Sequence, residues 1–145
     1  MKCKYAFKTL GYEKMAGDKK VKLVNLTDDN IESANITVRK RSFQFSLPRC
    51  IAKADLFINV PKMKYMAGTK FSGSLKNIFG CNPYPKKYRY HKWLDETIVG
   101  LNKIMKTDLS LIDGPILRGV HPKKLGLLMA STDPVALDSS AARIL

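Results

Sequence analysis

The sequence predicts an α/β fold in layers, with a mostly parallel sheet flanked by helices, formed by residues 1–145 as a single domain. Short apolar runs of strand length alternate along the chain with segments of helical periodicity. One run, residues 56–60, is apolar almost throughout, as is typical of a strand covered on both faces of a parallel sheet. The last helical pattern reaches Leu145 without a glycine stop. We therefore expect an incomplete portion of a larger domain, or a protomer of a homo-oligomer.

The elements of the first third are predicted from periodicity and turn residues. Residues 4–16 have the pattern of a short amphipathic helix, and residues 21–26 alternate as a strand does. Alternation across residues 36–45 predicts two short strands that form a hairpin, and residues 48–54 supply one helical turn. The side chains expected on the buried side of the first helix are Tyr5, Leu10, Tyr12 and Met15.

The remaining elements follow the apolar strand, which ends at Pro61. We expect a polar loop with three lysines, a short helix that begins at Ser72 or Ser74, and a Pro- and Lys-rich loop over residues 82–87. Asp133 and Pro134 have the chemistry of an N-cap and a first helical residue. The other predicted elements are a helix over residues 91–105, a buried strand over 109–112 that ends at Asp113, a strand over 125–130 and a final helix from residue 134.

The lysine-bearing loop and the short helix after it form the first candidate site. Free N–H groups and the dipole at a helix N-terminus favour a bound anion, and no acidic residue occurs between Asp55 and Asp95. The glycines at 68 and 73 have P-loop spacing, but Ser74 and Leu75 stand where Lys and Ser or Thr are required, which argues against Walker-type nucleotide hydrolysis. The alternative is a solvated connector with surface lysines. The candidate ligand-binding residues are Lys62, Lys64, Ser74, Lys76 and Asn77.

Carboxylates at element ends form the second candidate site. Asp113 and Asp133 each follow a predicted strand, and ligands of open α/β sheets gather at the carboxyl ends of strands. Both are candidate catalytic residues that would face one crevice. With Asp138, His91 or His121 they would hold a metal or move a proton. The alternative is that Asp113 satisfies a turn and Asp133 only caps a helix.

Charge and composition limit the partners. The net charge is +14, and residues 1–90 hold 19 of the 26 basic residues but only 6 of the 12 acidic ones. Such a field attracts small anions or nucleic acid, and the aromatic and basic residues between Tyr84 and Trp93 alternate as in single-strand binding surfaces. The alternative is a loop that packs its tyrosines on the body of the fold. No apolar run is long enough for a membrane helix and no signal peptide is evident, so we expect a cytoplasmic protein.

The three cysteines, Cys3, Cys50 and Cys81, are widely spaced without a Cys-x-x-Cys pair. This spacing argues against a disulfide framework, a zinc ribbon or a ferredoxin-type cluster within the chain. The cofactor stays unknown at this stage. Neither the charges nor the motifs decide between an enzyme and a binding protein.

Four ordered blocks of the chain resemble the family catalogued as domain of unknown function 362. They are Ala-Asp-Leu-Phe-Ile-Asn-Val-Pro-Lys-Met-Lys (54–64), Gly-Ser-Leu-Lys-Asn-Ile-Phe-Gly (73–80), Asp-Leu-Ser-Leu-Ile-Asp-Gly (108–114) and the block from Lys124 to Asp138. The resemblance implies a prokaryotic protein, a usually longer domain, and association of some members with iron–sulfur modules in redox systems. It also places in the family pattern Lys62, Lys64, Lys76, Asn77, Asp113, Asp133 and Asp138.

The chain departs from this family pattern at Met66, where members commonly have a histidine. Three functional hypotheses follow. The first is a site for a small anionic or phosphorylated ligand at the Lys62–Asn77 segment, within a redox or iron–sulfur-associated system. The second is nucleic-acid binding by the basic face of residues 1–90. The third is that the chain is an inactive relative, a hypothesis suggested by Met66.

Overall fold

The computed structural model describes residues 3–84, 86–119 and 122–145. It confirms the α/β class: helices pack on a mixed five-stranded sheet, and a separate β-hairpin lies outside that sheet. The strands are β1 (Ile31–Val38), β2 (Arg41–Pro48), β3 (Ile58–Asn59), β4 (Lys62–Met66), β5 (Lys70–Ser72), β6 (Leu109–Arg118) and β7 (Lys123–Ser131). The α-helices are α1 (Cys3–Thr9), α2 (Tyr12–Lys19), α3 (Arg49–Ala52), α4 (Ser74–Asn77), α5 (Leu94–Ile104) and α6 (Pro134–Ala142). Two 3₁₀ segments are Ile78–Cys81 and Lys87–Trp93.

The long strand β6 is the centre of the sheet. It pairs in parallel with β3 near its start and with β4 further along, and β7 runs antiparallel to it on the other edge. β5 extends the sheet as the antiparallel partner of β4. β3 and β4 are therefore two pieces of one strand, interrupted at Val60 and Pro61. Proline has no N–H to donate to the ladder, but the carbonyl of Pro61 still accepts from the N–H of Asp113 at 2.9 Å.

The two faces of this sheet differ. Successive strand residues point to opposite faces. On one face, which we call the helix face, Met63 and Ile112 pack with Leu137 and Ala141 of α6, and all four are buried. We call the other face the bare face; it carries Ile58, Lys62, Leu111, Asp113 and Leu128.

The bare face has no helix packed on it within the described part of the chain, since the helices that contact this sheet are α4 and α6. Leu128 is accordingly 73% exposed and Ile58 is 43% exposed. The prediction of a strand at residues 56–60 buried on both faces is therefore wrong, since β3 is short and only its Asn59 side is covered. A strand needs layers on both sides to be buried twice, and here one layer is present.

A second core lies between the hairpin, α5 and the first 3₁₀ segment. Phe45 and Leu47 of β2 pack there with Ile78, Leu101 and Met105. The predicted hairpin is thus confirmed, with strands longer than expected, and so is the helical turn after it. The predicted helix over residues 91–105 begins at Leu94, after a 3₁₀ segment, and packs Leu94, Leu101 and Ile104 on this core.

Four further expectations about elements are wrong. Residues 4–16 form parts of two helices that break at Gly11, which has a φ of 74°. These helices pack mainly on each other, so the side chains expected on a buried side are exposed: Tyr5, Leu10, Tyr12 and Met15. Residues 21–26 form no strand, since they are not paired with any described strand of either sheet.

The other two errors concern the sheet. The polar loop after Pro61 is the β4–β5 hairpin, and β6 does not end at Asp113 but continues to Arg118. The strands predicted over residues 109–112 and 125–130 exist, as does the final helix with Asp133 as its N-cap. Gly114 and Pro115 are typical turn residues and predict a strand end at Asp113. The end is wrong because pairing with β4 and β7 continues β6 through both residues.

Candidate functional site

The N-terminus of α4 is bound by a carboxylate of the chain itself. The Ser74 N–H donates to Oδ1 of Asp138 at 2.6 Å, and the Leu75 N–H donates to Oδ2 at 2.9 Å. Gly73 is required just before this contact, because a Cβ there would meet Asp138 Oδ1 and the Phe71 ring. The N–H groups predicted to hold an external anion are therefore occupied. Sequence reasoning missed this role of Asp138, since the two partners are 64 residues apart.

A row of polar side chains on the helix face continues this contact. Ser74 Oγ donates to Ser110 Oγ at 2.6 Å, and Asn59 Nδ2 donates to Ser74 Oγ at 2.9 Å. Asn77 Nδ2 in turn donates to Asn59 Oδ1 at 2.8 Å. The pairing of β3 with β6 places Asn59 beside Ser110, directly under α4. The side chains of Ser74 and Asn77 are thus partners of the sheet, and a ligand role for them stays a prediction.

Burial raises the pKa of Asp138 above its usual value of 3.8. The hydrogen bonds from the N–H groups of Leu75 and Ser74 act in the opposite direction and stabilise the ionised form. A buried carboxylate that accepts two N–H donors is well suited to fix one helix against another. It does so here for α4 and α6.

Lys62 and Asp113 form an ion pair on the bare face. Lys62 Nζ lies 3.0 Å from Asp113 Oδ2, and the two side chains are 29% and 45% exposed. The parallel pairing of β4 with β6 places these two residues in register. Of the predicted residues, these two are therefore brought together by the fold. The pairing leaves Asp113 within the sheet and not at a strand end.

Three more basic residues extend the bare face toward the end of the sheet. Lys64 is in register with Arg118, and Lys124 is in register with Ile116 one row away. We call Lys64, Arg118 and Lys124 the sheet-end patch; all three are exposed. The parallel strands β4 and β6 end here, which is where ligands of open α/β sheets bind. Sequence reasoning missed Arg118 and Lys124 as site residues, and the signal available was their position on either side of the β6–β7 connection.

Lys76 lies on the other side of the sheet from Lys62 and Lys64. It lines a cavity of about 330 Å³ between α4, α5 and α6, together with Asp95 and Asp138. The structure thus divides the predicted ligand-binding set. Lys62 and Lys64 share the bare face, whereas Ser74, Lys76 and Asn77 belong to the helix side.

Asp113 and Asp133 do not face a common crevice. Asp133 caps α6 and accepts from the N–H groups of Val135 and Ala136 at 2.8 and 3.0 Å. β7 is antiparallel to β6, so its end pairs with Ser110, three residues and roughly 10 Å before Asp113 along the strand. The expectation of a common crevice failed because only parallel strands have their carboxyl ends at the same edge of a sheet. The acid/base roles of Asp113 and Asp133 stay predictions.

The residues described do not assemble a metal-binding group of three His, Cys, Asp or Glu side chains. His91 packs beside Phe79 with ring centroids 5.9 Å apart. His121 lies outside the described residues. Met66 ends β4 opposite Lys70 and is 40% exposed.

The aromatic and basic segment before α5 packs on itself. The Arg89 guanidinium lies 4.8 Å from the ring centroids of both Tyr84 and Tyr90, and Arg41 lies 4.2 Å from that of Trp93. Tyr90 is buried in the second core. These contacts agree with the alternative of a loop packed on the fold, because the ring faces already carry cations of the chain. Nucleic-acid binding stays a prediction.

Of the thiols described, Cys50 and Cys81 are free. Desolvation and a hydrogen bond with Asp29 raise the pKa of Cys50 to about 11, and burial raises the pKa of Cys81. Both are thus held in the protonated form at neutral pH. Iron–sulfur clusters commonly take four cysteine thiolates, and the chain has three cysteines.

Comparison with known proteins identifies a family. The profile of the family described as domain of unknown function (DUF362) matches residues 1–143. A thylakoid-associated protein of Synechocystis sp. is 36% identical over 98 residues, which cover 59% of this chain and 30% of that protein. The match thus spans about a third of the length of this curated relative. No solved structure matches the chain, and no helix among the described residues has the length and apolar character to cross a membrane.

Proposed function

The chain belongs to the DUF362 family, and we propose that it binds a small anionic or phosphorylated ligand on the bare face of its sheet. The site consists of the sheet-end patch and the neighbouring ion pair of Lys62 and Asp113. The observation that carries the proposal is the pairing of Lys64 with Arg118 where two parallel strands end. Lys124 completes the patch from the adjacent strand β7.

The charges of this face support an anion over a cation. Among the described residues of β4, β6 and β7, the single acidic one is Asp113. Lys62 pairs with it, with Nζ 3.0 Å from Asp113 Oδ2. Among the described residues, no carboxylate forms an ion pair with Lys64, Arg118 or Lys124. Arg118 presents a planar set of donors that matches phosphate oxygens, and the two lysines add point charges.

Pyrophosphate is a suitable probe because it offers two adjacent phosphate groups. We expect isothermal titration calorimetry at low ionic strength to show binding that weakens as salt is added. Arg118→Ala and Lys64→Ala should each weaken binding by roughly five- to tenfold. The matched control is Lys103→Ala, which removes one positive charge from an exposed position of α5 on the helix side. Equal weakening by Lys103→Ala, or no binding of pyrophosphate to the unaltered chain, would refute the site.

A redox role of the ligand site would depend on a partner. The chain has three cysteines, fewer than the four thiolates that commonly hold an iron–sulfur cluster, so we propose that a separate protein or domain supplies the electrons. The name of the Synechocystis relative associates that protein with thylakoids. The cytoplasmic location of this chain stays a prediction.

A further inference from the structure

We propose that the cavity between α4, α5 and α6 is a second binding site, for a small zwitterion of the amino-acid type. The cavity has a volume of about 330 Å³. At about 30 Å³ per water molecule this is the room of roughly ten waters, which suits a ligand of amino-acid size. It lies on the helix side of the sheet, so the proposal does not depend on the anion site of the bare face.

Among the charged side chains of the cavity wall, Lys76 and Asp95 do not pair with each other. Lys76 and Asp95 both line it, and no ion pair joins them in the part of the chain that the structure describes. Each charge would pair with the opposite end of a zwitterion, the ligand carboxylate with Lys76 and the ligand ammonium with Asp95. A simple anion would be repelled by Asp95, and a simple cation by Lys76.

Hydroxyl groups on the same wall support a polar ligand. Thr69 and Ser139 line the cavity, and Ser139 lies at an exposed position of α6. Its hydroxyl would hydrogen-bond to a polar ligand there. Asp138 also lines the cavity, but both of its oxygens accept from the start of α4. Asp95 is therefore the carboxylate available to the ligand.

Apolar side chains line the rest of the cavity, which is open to solvent. Phe71, Leu75 and Ile98 contribute this surface, together with Ala142 of α6. A short aliphatic spacer between the two charged groups of the ligand would contact them. The site thus favours a β- or γ-amino acid over an ion without a carbon chain.

β-Alanine is the probe, titrated into the ¹⁵N-labelled chain and followed by two-dimensional NMR. We expect saturable shifts at Lys76, Asp95 and Ser139, and binding at least about tenfold weaker for propionate and for propylamine, which each carry one of the two charges. Lys76→Met should abolish the shifts. The control Lys103→Met removes the same charge outside the cavity and should leave them unchanged, and both variants are checked for a folded spectrum first.

Three outcomes would overturn the proposal. They are no saturable shift with β-alanine up to about 0.1 M, equal binding of propionate, or shifts that survive in a folded Lys76→Met variant. Failure of the anion site gives a different pattern, since Lys64→Ala and Arg118→Ala should not change binding of β-alanine. Pyrophosphate should likewise not displace it.

Discussion

Three aspartates of this chain have different roles, and the environment of each carboxylate determines its role. Asp138 is buried, and both of its carboxylate oxygens accept hydrogen bonds from N–H groups of α4. Asp133 lies exposed and caps its own helix, and Asp113 pairs with Lys62. The same chemical group thus joins two helices, starts a helix and balances a lysine.

Asp138→Asn tests the contact between α4 and α6. We expect a loss of about 1–3 kcal/mol in the free energy of unfolding at neutral pH, because the amide NH₂ would face the N–H of Leu75. Urea denaturation of both chains measures it. Ser139→Ala, at the exposed neighbouring position, should change stability by much less, and equal losses would contradict the assigned role.

The pKa of Asp138 adds a pH dependence with a definite sign. Since burial raises the folded-state pKa above 3.8, the folded chain holds this proton more tightly than the unfolded chain. The contribution of Asp138 to stability is therefore fully present below pH 3.8 and falls as pH rises through the folded-state pKa. The stability difference between the original chain and Asp138→Asn should narrow over that range, and a widening difference would show the opposite shift.

Asp29→Asn tests the cause of the Cys50 pKa. Asp29 Oδ2 accepts from the Cys50 N–H at 2.8 Å, and its hydrogen bond and charge add to desolvation in raising the thiol pKa. Removing the charge should lower that pKa toward 9.0, so iodoacetamide should alkylate Cys50 severalfold faster near pH 8. The rates are compared with Cys3 and Cys81 replaced by serine. Asp28→Asn, which removes a neighbouring charge, should have a smaller effect.

Elements with a strong local signal were predicted well from the sequence, and those fixed by distant partners were not. The helix cap at Asp133 and the hairpin depend on adjacent residues, and both predictions are confirmed. The end of β6 was placed at Asp113, because Gly114 and Pro115 indicate a turn until the ladder to β7 is known. The structure divides the candidate ligand-binding set for the same reason, since Lys62 and Lys76 are close in sequence but lie on opposite faces of the sheet.

Gly73→Ala tests the junction between β5 and α4. The new methyl group would press on Asp138 Oδ1 and the Phe71 ring, so we expect a loss of about 1–3 kcal/mol in stability. Gly68→Ala is the matched control in the same hairpin, because nothing lies within 4 Å of its added Cβ. Thermal unfolding of the two variants compares them directly. A Gly73→Ala chain as stable as Gly68→Ala would mean that the contact is easily relieved.

At the scale of the whole molecule, basic residues greatly outnumber acidic ones. The net charge is +14, and the ion pairs among the described residues, Lys53 with Glu32 and Lys62 with Asp113, are at least partly exposed. Repulsion among the basic residues therefore opposes the compact state. Exposed pairs contribute little in return.

Salt should accordingly stabilise this protein. Raising sodium chloride from about 0.01 M to 0.15 M shortens the screening length from about 30 Å to 8 Å, which weakens the repulsion. We expect the Tm to rise over this range. Choline chloride at equal ionic strength controls for binding of a particular cation, and a Tm that falls in both salts would show that attractive pairs dominate.

The contact between Asp138 and α4 also bears on the order in which the chain folds. Ser74 is synthesised 64 residues before Asp138, so the first turn of α4 has no carboxylate partner while the intervening strands β6 and β7 are being made. Long-range contacts of this kind slow folding, because a large loop must close before they form. The contact between α4 and α6 would therefore form late, after the strands between them have paired. Refolding in which α4 and α6 gain amide protection from hydrogen exchange together is the expected signature.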